Sequence, residues 1–279
     1  MKTDDRVDTV DLFPKLDAKL IELLRTLTPE DWQKPTLAPQ WSVKDVAAHL
    51  LDGNLRTLSM LRDGYWGTPA PEINSYRELV EYLNRLNAEW VVAMKRISPT
   101  ILIEWLEQSG NQYSTYLKTL DPTAKATFAV AWAGEQESQN WFHIARDYTE
   151  KWHHQQQIRA AVGQEQDLYV KELFRPYLET SMRALPYHYR DVKQPAGTVI
   201  KFVVRAEKDY LWFLYSDGGT WKLMQSTNLV PTSEIVMSKE TSWRIFTKAL
   251  PPEEARKQIT SKGNRQLAEK IVEMVAVIA

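Results

Sequence analysis

His49, His143, His153, His154 and His188 are the chain's five histidines. Imidazole is the commonest protein ligand for a metal and the side chain that titrates nearest neutral pH. On one helical stretch Glu150 and His154 stand four residues apart. That spacing puts them about 40° apart around the helix axis and one turn along it, so both can grip one ion. The same geometry spaces the two histidines of metalloprotease helices. A third ligand has to come from another element, and His49 is the histidine available on a different helix. Three nitrogen and oxygen ligands leave a position open for water or substrate, the mark of a catalytic rather than a structural metal.

Each of these residues also has an ordinary reading. A glutamate and a histidine four apart often form no more than a surface pair. His153, three residues from Glu150, is a rival ligand, and His143 with Asp147 is a second four-spaced pair. On a helical wheel His143, Asp147, Glu150 and His154 share a side that leads into Ile158 and Ala161. His153 falls instead towards Arg146 and Gln157, which reads as a more solvent-facing side. His49 lies off the aliphatic stripe of its helix (Val43, Val46, Ala47, Leu50, Leu58, Leu61) and is equally readable as a surface histidine balanced by Asp45.

The chain has 279 residues and no cysteine. Disulfides, thiolate zinc sites and a cysteine nucleophile are thereby excluded, so any metal is held by nitrogen and oxygen and any sulfur chemistry uses a thiol from outside. A net charge of -1 gives no electrostatic reason to expect nucleic acid or an anionic membrane as partner. The start, MKTDDRVDTV, lacks the apolar run of a secretory signal. No apolar stretch approaches the ~18 residues of a membrane helix. A cytoplasmic location is the expectation.

The elements that must position these residues are helical at first. Leu12, Leu16, Leu20, Leu23 and Leu24 recur at helical spacing over residues 9–27. After a loop with Pro29, Pro35 and Pro39, Ser42 caps a helix running to about Arg62, with Asp45 as the capping-box acid. Further helices are predicted over Tyr76–Ile97 and from Pro99 to about Leu120. Residues 127–138 read as an extended piece and a loop. Ser138 is then the expected cap of a long helix that ends near Val162, with Gly163 as its stop. Antiparallel helices of this kind make an up-and-down bundle.

Beyond one more helix over 167–189 the period changes from 3.6 to 2. GTVIKFVVRAE, YLWFLYS, TWKLMQS and SEIVMS are β-rich runs, the second and third split by the hairpin signal Asp217-Gly218-Gly219. Helices near 240–249 and 263–277 follow. The expectation is two domains: a helical bundle over residues 1–165 and a small α+β domain over 166–279.

The segment PQWSVKDVAAHLL (39–51) resembles the signature of DinB-like metal-binding bundles, and RDYTEKWHHQQQIRAAVG (146–163) resembles the matching helix of the mycothiol-dependent maleylpyruvate isomerases. The run from Ser233 to Val275 is similar to the sterol carrier protein-like domain appended to that isomerase. The resemblance implies a DinB-like four-helix bundle, a metal site of His49, Glu150 and His154, and a thiol cosubstrate held as thiolate because the cation lowers its pKa. Zinc is the leading ion for imidazole and carboxylate ligands. In such an isomerase the thiolate adds to an activated carbon, the former double bond rotates, and the thiol leaves. Relatives transfer thiols to electrophiles. Asp147 and Asp45 are candidates for orienting the ligand histidines, and Arg205, Lys222 and Arg244 for the family's basic C-terminal residue.

The functional expectation is therefore a metal- and thiol-dependent isomerase or S-transferase acting on an electrophilic small molecule. Its alternatives are a non-catalytic metal-binding module and a lipid-like carrier built around Trp212, Phe213 and Trp221.

Overall fold

In the computed structural model, which describes residues 6–278, Leu16, Leu20, Leu23 and Leu24 of the first stretch are buried along α1 (Phe13–Thr26), and Leu12 precedes it half-buried in a 3-10 turn. α2 (Val43–Thr57) opens on the expected capping box. The Ser42 hydroxyl accepts from the Asp45 backbone N–H, and the Asp45 carboxylate accepts from the backbone N–H of Ser42. Past Thr57 the helix widens into one π-helical turn, Leu58–Arg62. α3 (Tyr76–Met94) and α4 (Pro99–Leu117) are capped by Ser75 and Ser98. α5 (Asn140–Val162) stops at Gly163, whose φ of 73° is the left-handed conformation that glycine adopts without strain.

The cap of α5 differs from expectation. Gln139 takes that position, while the Ser138 hydroxyl accepts from the Val130 backbone N–H at 2.9 Å and bonds Glu135. A turn within 130–138 competes for the hydroxyl and wins it, as local side-chain bonds often do against helix caps.

The chain divides into two compact units. One takes the residues up to 127 together with 139–173; the other takes 128–138 together with residues from 174 on. The first is a helical bundle in which α2 packs against α3, α4 and α5, and α1 against α4 and α5. Its core gathers Leu20, Leu24, Val46, Leu51, Leu102 and Ile158, each fully buried side chain stabilising the bundle by roughly 1.5–3 kcal/mol. α3 adds only Val91 and Met94 to the buried set. A polar tie fixes α5 in register. Lys151 donates to both Asp17 oxygens on α1, at 2.8 and 2.9 Å, and lies 4.8 Å from the ring centre of Tyr113 on α4.

From residue 171 the expected single helix is two: α6 (Lys171–Ser181) and α7 (Leu185–His188), with a 3-10 turn at Met182–Ala184 between them. Pro186 lacks the N–H that a continuous helix would use and suits a first turn instead. β1 (Val199–Val204), β2 (Tyr210–Ser216), β3 (Trp221–Met224), β4 (Ser233–Met237) and β5 (Thr260–Gly263) make a sheet ordered β3-β2-β1-β4-β5. β1 and β4 run parallel and the other neighbours antiparallel. α8 (Lys239–Phe246), α9 (Pro252–Gln258) and α10 (Arg265–Glu269) complete this α+β unit.

The helix expected over 263–277 is shortened to α10 and a 3-10 turn. The strand before it, β5, escaped the sequence reading because TSKG has no apolar alternation; its pairing with β4 supplies the order. Gly263, with φ 77°, sits so close to the carbonyl oxygen of Thr232 that a Cβ would lie 2.1 Å from it. Trp212 and Trp221 belong to the buried core of this unit, and Phe213 is half-buried. No helix among the described residues is long and apolar enough to cross a membrane.

Candidate metal centre

Two helices of the bundle carry the candidate ligands. α2 brings His49, and α5 brings Glu150, His153 and His154. On α5 the four-residue spacing does what helix geometry requires: Glu150 Oε2 lies 3.6 Å from His154 Nε2. One donor atom each from Glu150, His153 and His154 falls within 4.8 Å of the others. Ligands about 2.0–2.2 Å from one ion stand at most about 4.4 Å apart, so a small side-chain adjustment closes the group. The His49 ring meets that of His154 edge-on, with centroids 4.6 Å apart.

The loop ahead of α2 holds an aromatic cover. Trp41 is pinned by its backbone N–H donating to Ala38 O at 2.9 Å and by its backbone carbonyl accepting from Thr36 N and Oγ1. Its ring lies 4.9 Å from that of His49 and 6.3 Å from that of His154. Trp41 also lines a cavity of about 460 Å³ with Ser42, Lys44, Asp45 and Lys95, but none of the four candidate ligands borders that cavity.

The hydrogen bonds set the tautomers. His153 Nδ1 lies 2.9 Å from the Thr149 carbonyl oxygen, which can only accept, so Nδ1 carries the proton and Nε2 keeps its lone pair. His154 Nδ1 pairs with Gln157 Oε1 at 2.9 Å, leaving Nε2 facing Glu150. His49 Nδ1 is buried with no hydrogen-bond partner. An orphaned imidazole nitrogen costs about 1–3 kcal/mol, a penalty that ligation of this histidine can offset. Burial, and then the neighbouring His154, hold His49 well below the usual histidine range against the opposing pull of Glu150. Burial and His154 likewise press His153 down to about 3. Burial raises the Glu150 carboxyl, but the neighbouring His154, and then His153 and Arg146, outweigh it and leave the group below the carboxylate range. Neutral His49 and His153 beside an ionised Glu150 are in the protonation state that metal ligation requires of them.

The donor atoms that converge are those of Glu150, His153 and His154; His49 lies outside that group, its ring set edge-on against that of His154. The wheel placed His153 on a solvent-facing side, yet it is 4% exposed and neighbouring Gln157 5%. A helical wheel assigns faces from composition. α5 is buried on several sides, so its polar residues are interior and its faces cannot be told apart that way.

His143 and Asp147 form a separate cluster. Asp147 accepts from Tyr113 Oη and from Arg146, each at 2.8 Å, with His143 Nε2 3.6 Å away. Asp45 is spent on the helix cap. Neither acid therefore orients a candidate ligand; Gln157 holds His154 and the Thr149 carbonyl holds His153. The signal for Gln157 was its position three residues after His154 on the same helix. In the second unit Arg205 pairs with Asp209, Lys222 pairs with Asp217 at 2.8 Å, and Arg244 lies over the Trp243 ring.

Comparison with known proteins decides the family. The description of the mycothiol maleylpyruvate isomerase N-terminal domain matches residues 13–159, more than half of the chain and all four candidate ligands. The chain belongs to this family. Two crystal structures, of the mycothiol-dependent maleylpyruvate isomerase and of a histidine-to-alanine mutant of it, are similar to the chain at 12% identity and a TM-score of 0.49. The similarity covers 91% of this chain and 91% of each of those chains. The relation is a distant one. No curated protein matches the chain.

Proposed function

We propose that this protein is a metal-dependent enzyme that uses an external low-molecular-weight thiol, as an isomerase or an S-transferase of electrophilic small molecules. The observation that supports the reading is the Glu150–His154 pair on α5, with the His49 ring of α2 set against His154, in a member of this family. The absence of cysteine agrees with it, since no side chain of the protein can replace the thiol.

His49, Glu150 and His154 would hold the divalent ion, with zinc the leading candidate for this donor set. Such a cation supplies positive charge that lowers the pKa of a thiol beside it. The protein's own part is to hold the ligands in place and keep bulk water away. Gln157 fixes the His154 tautomer and Trp41 covers the His49 ring. Ionised Glu150 offsets one of the cation's two charges, leaving net attraction for an anionic thiolate. In the isomerase form of the reaction, a thiolate adds to the activated carbon of a cis-enone acid, the new single bond rotates, and elimination restores the double bond and the thiol.

The test is metal content of the purified protein followed by turnover with panels of thiols and electrophiles. About one divalent ion per chain is expected, with activity that needs metal, thiol and electrophile together. His49→Ala and His154→Ala should each lose most of the metal. Turnover unchanged after complete metal removal would refute the mechanism, and silence across a broad panel of thiols would favour a metal-binding module without turnover.

A further inference from the structure

The three-ligand site leaves His153 unexplained. This imidazole is 4% exposed, its ring centroid is 4.0 Å from that of His154, and it offers a donor atom within 4.8 Å of those of Glu150 and His154. Its Nδ1 is committed to Thr149 O at 2.9 Å, which leaves Nε2 as its remaining donor. Adjacent residues on a helix point about 100° apart, so two neighbouring histidines normally serve different faces. Here both rings are turned into one cluster.

We infer that His153 is a fourth protein donor to the metal, so that the centre consists of His49, Glu150, His153 and His154. The inference rests on the metal reading above and extends it in a direction with chemical consequences. Three imidazoles and one carboxylate fill an ion that accepts only four ligands, and a tetrahedral zinc so held is closed. A position for a thiol then exists only on an ion that takes five or six donors. Zinc serves such a centre by expanding to five donors.

Cobalt(II) loading of the full chain tests this, because its visible bands report coordination number and donor type without any need for turnover. Two variants separate ligation from packing. His153→Asn keeps an amide N–H for Thr149 O but removes the Nε2 donor. His153→Gln places an amide where Nε2 stood and gives up the Thr149 bond. His153→Asn should remain folded by circular dichroism, shift the wild-type bands, and lose cobalt affinity by at least about tenfold in chelator competition. Should His153→Asn fail to fold, the same shift and loss are read from His153→Gln.

Folded variants with wild-type bands and affinity would overturn the inference. If His49→Ala still abolishes binding while the His153 variants do not, this inference fails and the three-ligand reading stands. A wild-type chain that takes up no cobalt overturns both.

Discussion

Replacing Gln157 by leucine should weaken the metal centre without touching a ligand. Gln157 Oε1 accepts from His154 Nδ1 at 2.9 Å, and Gln157 is 5% exposed, so little water stands ready to take its place. In the metal-free protein the His154 ring can turn and offer its N–H elsewhere. Once Nε2 is committed to a metal the N–H must stay where it is, so the unsatisfied donor burdens the bound state more than the free one. An unpaired buried donor costs about 1–3 kcal/mol, which corresponds to a loss of roughly five- to 150-fold in affinity. The 10- to 100-fold typical of lost outer hydrogen bonds at metal sites falls inside that range. Gln157→Glu should act oppositely, because a carboxylate acceptor makes the imidazole a more basic ligand. The assay is competition against a chromogenic chelator at pH 7.5, with thermal unfolding as a check on folding. Equal affinity for wild type, Gln157→Leu and Gln157→Glu would refute the role assigned to this contact.

Acidification should destabilise the metal-free protein. The folded-state pKa of His153 is depressed from 6.5 to about 3, so its unfolded form binds a proton first. Its contribution is complete above pH 6.5 and declines as pH falls towards 3. At about 1.4 kcal/mol per unit the whole window is worth on the order of 5 kcal/mol, and His49 shifts in the same direction. Urea midpoints measured from pH 7 to 4 should fall steadily; a flat or rising curve would contradict this. A fragment of residues 1–173 should fold as a helical bundle and retain metal, because 139–173 belongs with the residues up to 127. A folded fragment with no metal, beside a loaded full-length chain, would show that residues beyond 173 are needed for the site.

What could be read from the sequence was whatever is encoded over a few neighbouring residues. Ser42 and Asp45 announced the start of α2, and Gly163 the end of α5. Four-residue spacing put Glu150 and His154 side by side, because one helical turn is a local property. The sheet was legible where strands alternate or run apolar, as in β1, β2 and β4. It was not legible in β5, whose TSKG becomes a strand only through its backbone bonds to β4.

Long-range packing decided the rest. That His49 lies beside His154 depends on the packing of α2 against α5, which no spacing within either helix contains. That His153 joins the cluster depends on how deeply α5 is buried. Its polar residues include Gln155, Gln156 and Gln157, all at 5% exposure or less, and a face that looks solvated by composition is interior once the surrounding chain closes on it. The use of Asp147 as a partner for Tyr113 was settled in the same way, by the distances of the folded chain. The sequence by itself determined which donors the protein owns and which of them share a helix turn. The tertiary structure decided which donors meet, because bringing together residues about a hundred positions apart requires the buried apolar surface of the whole bundle to outweigh the entropy of ordering the chain.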